Sequence, residues 1–190
     1  MRDGRKSRRK LLDAATAEFA EYGIAGARVD RISAASGVNK AQMYGWYGSK
    51  DGLFDAVLAE HLERIVDTVP LTAADLPGYA VALYDSYLTD PELVRLASWY
   101  RLERVPAGEL LAGHGDHLAE SKLAAIAQAQ ADGLIAGGIE PADVYALVIA
   151  LASTWSPISA TFAASAADAE PDHDRRRATL RRAVAGALVP

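Results

Sequence analysis

The chain has 190 residues, 51% of them hydrophobic, and a net charge of -5; this is too much apolar material for a disordered chain and enough for one sizeable core or two small ones. It has no cysteine, so disulfides and thiolate metal sites are excluded and a reducing cytoplasm is compatible, while a charged N-terminus gives no expectation of a signal peptide. Residues 1–50 hold ten Lys/Arg against five Asp/Glu and residues 51–190 hold ten against twenty, the balance of a basic head that suits a polyanion and an acidic body that stays in solution.

Arg2, Arg5, Lys6, Arg8, Arg9 and Lys10 open the chain. They read as a mobile arm, passing into a first helix near Ser7, that either touches DNA phosphates or a minor groove or is simply solvated. Leu12, Ala15, Phe19 and Tyr22 recur at three- and four-residue spacing, giving that helix one packing stripe before Gly23 ends it. Val29, Ile32 and Ala35 give a second, short helix one stripe, and Ser36-Gly37-Val38 stops it, since Gly37 can take a left-handed backbone and Val38 can plug the corner.

Asn39 is a good N-cap for the next helix, Lys40 to about Trp46. Lys40, Gln42, Tyr44, Trp46 and Tyr47 make it too polar and aromatic for a helix whose work is packing, and only Met43 is plainly apolar. Helix, Gly-containing turn and short polar helix form the helix-turn-helix pattern, in which the second helix enters a major groove. Gln42 suits an adenine, and Lys40 a guanine or a phosphate. Arg28, Tyr44, Tyr47 and Lys50 suit phosphates, which fix register without carrying sequence, although Tyr47 suits the small domain's core better. With Asn39, Ala41 and Trp46 these are the DNA-binding candidates. Ser49 reads as the N-cap of the following helix, with Asp51 in its first turn.

The run from Ile32 to Leu53, ISAASGVNKAQMYGWYGSKDGL, resembles the N-terminal domain of the tetracycline-repressor (TetR) family of transcriptional regulators. The motif detail covers roughly the first 65 residues. Ser33 and Ser36 stand where Ala is usual, Trp46 where a His or another aromatic is common, and Arg28 where a Thr often sits; these departures leave the operator sequence open. The resemblance implies an all-α fold, with a three-helix DNA-binding domain over residues 1–50. A larger helical ligand-binding and dimerisation domain over residues 51–190 would be joined to it through the helix from about Lys50.

That linking helix carries Phe54, Val57, Leu58, His61, Leu62, Ile65, Val66 and Val69 until Pro70 breaks it. His61, among apolar neighbours, reads as a core or interface histidine. The body then shows a helix from about Asp75 through Tyr79 and Leu83 to Leu88. Another begins at Asp90-Pro91-Glu92 and is apolar on more than one side. After the Gly-rich stretch from Pro106 to Gly115, a helix runs from about Asp116 to Leu134 and is closed by Gly137-Gly138. His114, His117 and Glu120 have metal-ligand spacing, but the flanking Gly113 and Gly115 and the lack of a fourth ligand favour an exposed loop, and no metal or cofactor is expected.

No charge falls between Asp143 and Asp168. The Ser and Thr content argues against a membrane span. Val144, Leu147, Val148, Leu151, Trp155, Ile158 and Phe162 form one stripe of a single helix, and Tyr145, Ile149 and Ala152 another. The last helix, about Asp172 to Leu188, sets Leu180, Val184 and Leu188 against a side lined by Arg175, Arg176, Arg177, Arg181 and Arg182. Ion pairs with neighbouring acids account for those arginines better than a second nucleic-acid site.

In proteins of this family the last two helices form a four-helix dimer interface, which makes Leu151, Trp155, Leu180, Val184 and Leu188 the interface candidates. Tyr84, Trp99, Tyr100, Tyr145, Trp155 and Phe162 are the candidates for an effector cavity, and the scarcity of charge among them points to an apolar or aromatic ligand. No Ser-His-Asp set, nucleophile elbow or phosphate-cradling loop appears, so an enzyme is not expected. The expectation is a cytoplasmic, homodimeric regulator, most simply a repressor, that binds a near-palindromic operator in double-stranded DNA and is released by a small-molecule effector. A DNA-binding protein without an effector, or an activator of the same fold, is the alternative.

Overall fold

The computed structural model describes residues 2–67, 69–108, 110 and 116–190, and the described residues hold nine α-helices and no strand. They are α1 (Arg2–Gly26), α2 (Val29–Ser36), α3 (Lys40–Tyr47), α4 (Lys50–Asp67), α5 (Leu76–Thr89), α6 (Pro91–Glu103), α7 (Asp116–Ala131), α8 (Pro141–Ala152) and α9 (Glu170–Leu188). Short 3-10 turns stand at Ala73–Asp75 and Ser153–Trp155. Packing divides the chain into two units, Met1–Ile65 with Glu92–Leu110, and Val66–Pro91 with Leu111–Pro190. The division drawn from the motif at residue 50 follows the sequence; the packing adds most of α4 and nearly all of α6 to the first unit.

The first unit is built on Leu11, Phe19, Ile32, Met43, Leu53, Phe54, Val57 and Leu96, all fully buried or nearly so. Phe54 is its centre: Phe19 meets it edge-on at 5.2 Å between ring centroids, and Tyr100 of α6 stacks on it at 6.3 Å. The basic opening stretch is already helical from Arg2, in place of an arm leading into a helix near Ser7. Arg and Lys are good helix formers, and nothing in residues 2–10 except Gly4 opposes the helix.

Gly23, at φ 72° and ψ 179°, breaks α1 near its end. The two amides after the break, Ile24 N–H and Ala25 N–H, donate to the Glu103 carboxylate at 2.9 and 2.8 Å. Trp99 Nε1 donates to Ala20 O at 3.2 Å, Arg95 pairs with Glu21 at 2.5 Å, and Arg104 pairs with Asp51. Thus α6, far along the sequence, completes the unit that begins the chain.

The second unit packs α5, α7, α8 and α9 around Leu76, Tyr79, Leu83, Tyr84, Ile126, Val144, Val148, Leu180, Val184 and Leu188. Leu180, Val184 and Leu188 therefore lie in their own chain's core, and this corrects their assignment to a dimer interface. At 3.6 residues per turn the stripe most visible in the sequence is the one the unit buries internally, while Ala183, Gly186 and Ala187 face outward.

The uncharged segment is likewise not one helix. α8 stops at Ala152, where Ser153 Oγ donates to Ile149 O at 2.8 Å and Thr154 Oγ1 to Leu151 O at 2.7 Å. Ser156, preceding Pro157, is extended at φ -69° and ψ 169°. Hydroxyls that take up helical carbonyls, followed by a proline, end the helix there. α7 also ends early, at Ala131, because Gly133 takes φ 73° and turns the chain before Gly137-Gly138 is reached.

Among the described residues no helix is long and apolar enough to cross a membrane, and no group of three or more His, Cys, Asp or Glu is placed to hold a metal ion. His114 and the side chain of His117 lie outside the described residues.

Candidate nucleic-acid interface

The turn between α2 and α3 is fixed by its own side chains. Gly37 is left-handed at φ 70°, and its N–H donates to Ser33 O. Ser33 Oγ donates to Val38 O at 2.5 Å, and Val38 N–H to Ser36 Oγ at 3.2 Å. Val38 and Met43 are buried and anchor the turn and the inner side of α3 in the core. The Asn39 side chain accepts from Gln42 N–H at 2.8 Å, capping α3 as its sequence suggested, and Ser49 Oγ does the same for α4 by accepting from Gly52 N–H at 2.9 Å.

With one side of α3 anchored, Lys40, Ala41, Gln42, Tyr44 and Gly45 are left exposed; Tyr44 shows 46% of its surface. Arg28 and Asn39 are exposed beside them. The other candidates take different places. Tyr47 is half-buried against the core, which pushes its phenol pKa up by desolvation. Trp46 is half-buried too, with the Arg8 guanidinium 5.2 Å from its ring centre, so the opening helix and α3 share a cation–π contact. Lys50 turns to the protein: its Nζ donates to Ala25 O and Ala27 O, both at 3.1 Å.

Three contacts in this unit had no sequence signal. Glu18, almost buried in α1, accepts from the Arg28 N–H at 2.8 Å and from Arg31 Nε at 2.8 and 3.0 Å. Arg31 also lies 4.1 Å over the Tyr22 ring. Burial alone would raise the Glu18 pKa, but the Arg31 and Arg28 donors outweigh it and hold the carboxyl below its ordinary value. Glu103 on the Gly23 break is the second such contact. The third is an ion pair between Asp30, in the first turn of α2, and Lys40 at the start of α3. Each joins residues ten or more apart, beyond the reach of helical periodicity.

The aromatic residues grouped as effector contacts divide between the two units. Trp99 and Tyr100 belong to the first unit, packed on the α1 break and on Phe54. Tyr84 is buried in the second unit, where its hydroxyl and His173 Nδ1 are 2.7 Å apart and Trp155 meets its ring edge-on at 5.9 Å. Tyr145 is half-buried with Lys122 Nζ 5.7 Å from its ring centre; Phe162 is exposed, beneath the Arg176 guanidinium at 5.1 Å. Arg176 itself is buried and donates to Asp168 at 2.7 Å.

Residues 11–57 match the family described as bacterial regulatory proteins, tetR family, and residues 75–185 match the one described as Tetracyclin repressor-like, C-terminal domain. The chain is 37% identical over 159 residues to the HTH-type transcriptional repressor SCO4008 of Streptomyces coelicolor, a match that covers 83% of this chain and 81% of that protein. Among solved structures, that of SCO4942 from Streptomyces coelicolor superposes with a TM-score of 0.78 at 37% identity, covering 96% of this chain and 98% of that one. Salmonella enterica GusR, 22% identical with a TM-score of 0.66 over 95% of this chain and 94% of its own, shares the fold.

Proposed function

Because the chain belongs to the TetR family of helix-turn-helix transcriptional regulators, we propose that it is a ligand-responsive repressor that binds a near-palindromic operator as a homodimer. The observation that carries the DNA-binding part is α3 itself: anchored by Val38 and Met43, it holds Lys40, Ala41, Gln42 and Tyr44 outward. Gln42 reads a base edge, Arg28 and Tyr44 set the register on phosphates, and the Asn39 cap fixes the angle of entry. Trp46, Tyr47 and Lys50 hold the surface in shape from behind. Residues 1–50 are the DNA-binding domain in this reading, with α4 and α6 as its support, and the protein works in the cytoplasm where its operator lies.

One short helix reads too little sequence for a specific site, so two copies engage half-sites about 34 to 36 Å apart. The second unit supplies the material for pairing. Leu147, Ala146 and Ala150 on α8 and Ala183, Gly186 and Ala187 on α9 are exposed small or apolar residues, which allow close helix approach, with the half-buried Leu151 and Trp155 at their edge. An apolar or aromatic effector in the second unit, near Tyr145, Trp155 and Phe162, releases the DNA by favouring a state whose heads no longer match the groove spacing.

The test is fluorescence anisotropy on short duplexes from the DNA flanking the coding region, with a scrambled duplex and a salt series. Saturation at two protomers per duplex, about a thousandfold tighter than to the scrambled control, supports the reading. Equal, weak and steeply salt-dependent binding to every duplex, including duplexes selected from random sequence, sinks it.

A further inference from the structure

On a surface that must approach a polyanion, one side chain has the wrong charge. Asp30 is exposed in the first turn of α2, its side chain showing 76% of its surface, and it pairs with the ammonium of Lys40, whose side chain is 52% exposed. The pair is not needed to hold the head together, because both groups are solvated and an exposed ion pair contributes little to stability. It is also costly for DNA binding: a carboxylate repels nearby phosphates and occupies a cation that would otherwise neutralise one.

Lys40 occupies the position that makes this matter. It is the first residue of α3, and the N-terminal residues of a groove-entering helix are those that meet base edges. A lysine there has a flexible four-carbon stem and a compact charge, so without restraint it follows the nearest phosphate and reads nothing. Asp30 restricts that freedom by pairing the ammonium with the start of α2.

Resting on the DNA-binding reading above, we propose that Asp30 is a specificity-determining positioning residue, which withholds Lys40 from phosphates on random DNA and presents it to a base edge on the operator. On a random duplex the carboxylate charge opposes binding with no return. On the operator the directed Lys40 contact, to a guanine O6 or N7 by its donor chemistry, compensates. Asp30 thus weakens non-specific binding more than specific binding.

Full-length wild type, Asp30→Asn, Lys40→Ala and the double variant are each used to select duplexes from a random-sequence pool. Binding to the wild-type-selected duplex and to a scrambled one is then measured across a salt series. Asp30→Asn is expected to tighten binding to the scrambled duplex about fivefold to tenfold and to steepen its salt slope by about 0.9 for each lysine released to a phosphate. The selected duplex gains less, and the preference at one base pair of each half-site relaxes. In the Lys40→Ala background the same substitution leaves the slope unchanged. An equal gain on both duplexes with unchanged base preference, or the same slope change without Lys40, overturns the proposal, since Asp30 then acts only as diffuse charge. So does no change at all. If the wild type selects no sequence, the DNA-binding reading fails and takes this inference with it, an outcome distinct from the others. The thermal midpoint, expected to be unchanged for both exposed positions, separates these effects from misfolding.

Discussion

Glu18 is a single carboxylate that holds two helices. It receives the Arg28 N–H and the Arg31 side chain while almost buried, so Glu18→Ala leaves both donors short of an acceptor. The expected loss is about 2 kcal/mol of head stability by urea unfolding. Its carboxyl pKa is lowered in the folded state, so the stability it contributes is present above the ordinary glutamate value of about 4.3 and is lost as pH falls through the depressed folded value. Glu18→Gln should therefore flatten the acid limb of the stability–pH curve, and an unchanged limb would mean that other carboxylates carry it. Gly23 is constrained in a second way. At φ 72° a side chain is already strained, and a Cβ would stand 2.6 Å from Glu103 Oε1 and 2.9 Å from Trp99 Cε3. Gly23→Ala should cost about 1–3 kcal/mol in the same assay.

Among the elements, α3 is the one whose substitutions should separate affinity from specificity. Gln42→Ala is expected to weaken binding to the selected operator about tenfold while leaving a scrambled duplex nearly unchanged, as loss of a base contact should. Tyr44→Phe, losing a phosphate contact, should weaken both alike. The sequence announces α2 and α3 clearly because their signals are local: Gly37 can only end a helix there, Asn39 caps, and Met43 alone is apolar. It announces the end of α8 poorly, since seven apolar positions from Val144 to Phe162 keep helical spacing straight through the break. What stops the helix is the hydroxyl chemistry of Ser153 and Thr154 and the proline at 157. α9 misleads for a related reason. Hydrophobic spacing finds a buried stripe but does not say whose atoms bury it, and Leu180, Val184 and Leu188 are covered by their own chain.

At the scale of the whole molecule, dimerisation is tested on the outward faces of α8 and α9. Leu147, 46% exposed, is expected to enter the subunit interface. Leu147→Glu should shift the sedimentation profile from dimer to monomer and weaken operator binding at least tenfold, with the helical content of each chain intact. A dimer that persists would move the interface elsewhere. The Glu103 contact on the Gly23 break carries a further consequence, for modularity. Because α6 is encoded after α5 yet finishes the first unit, a chimera cut in the linking helix would graft a head onto a foreign α6. The transplanted amides of Ile24 and Ala25, the Ala20 carbonyl and the open face of Phe54 would then meet side chains chosen for another head. Exchange of DNA specificity between such regulators therefore has to move two separate stretches of gene, or else confine itself to the outward residues of α3.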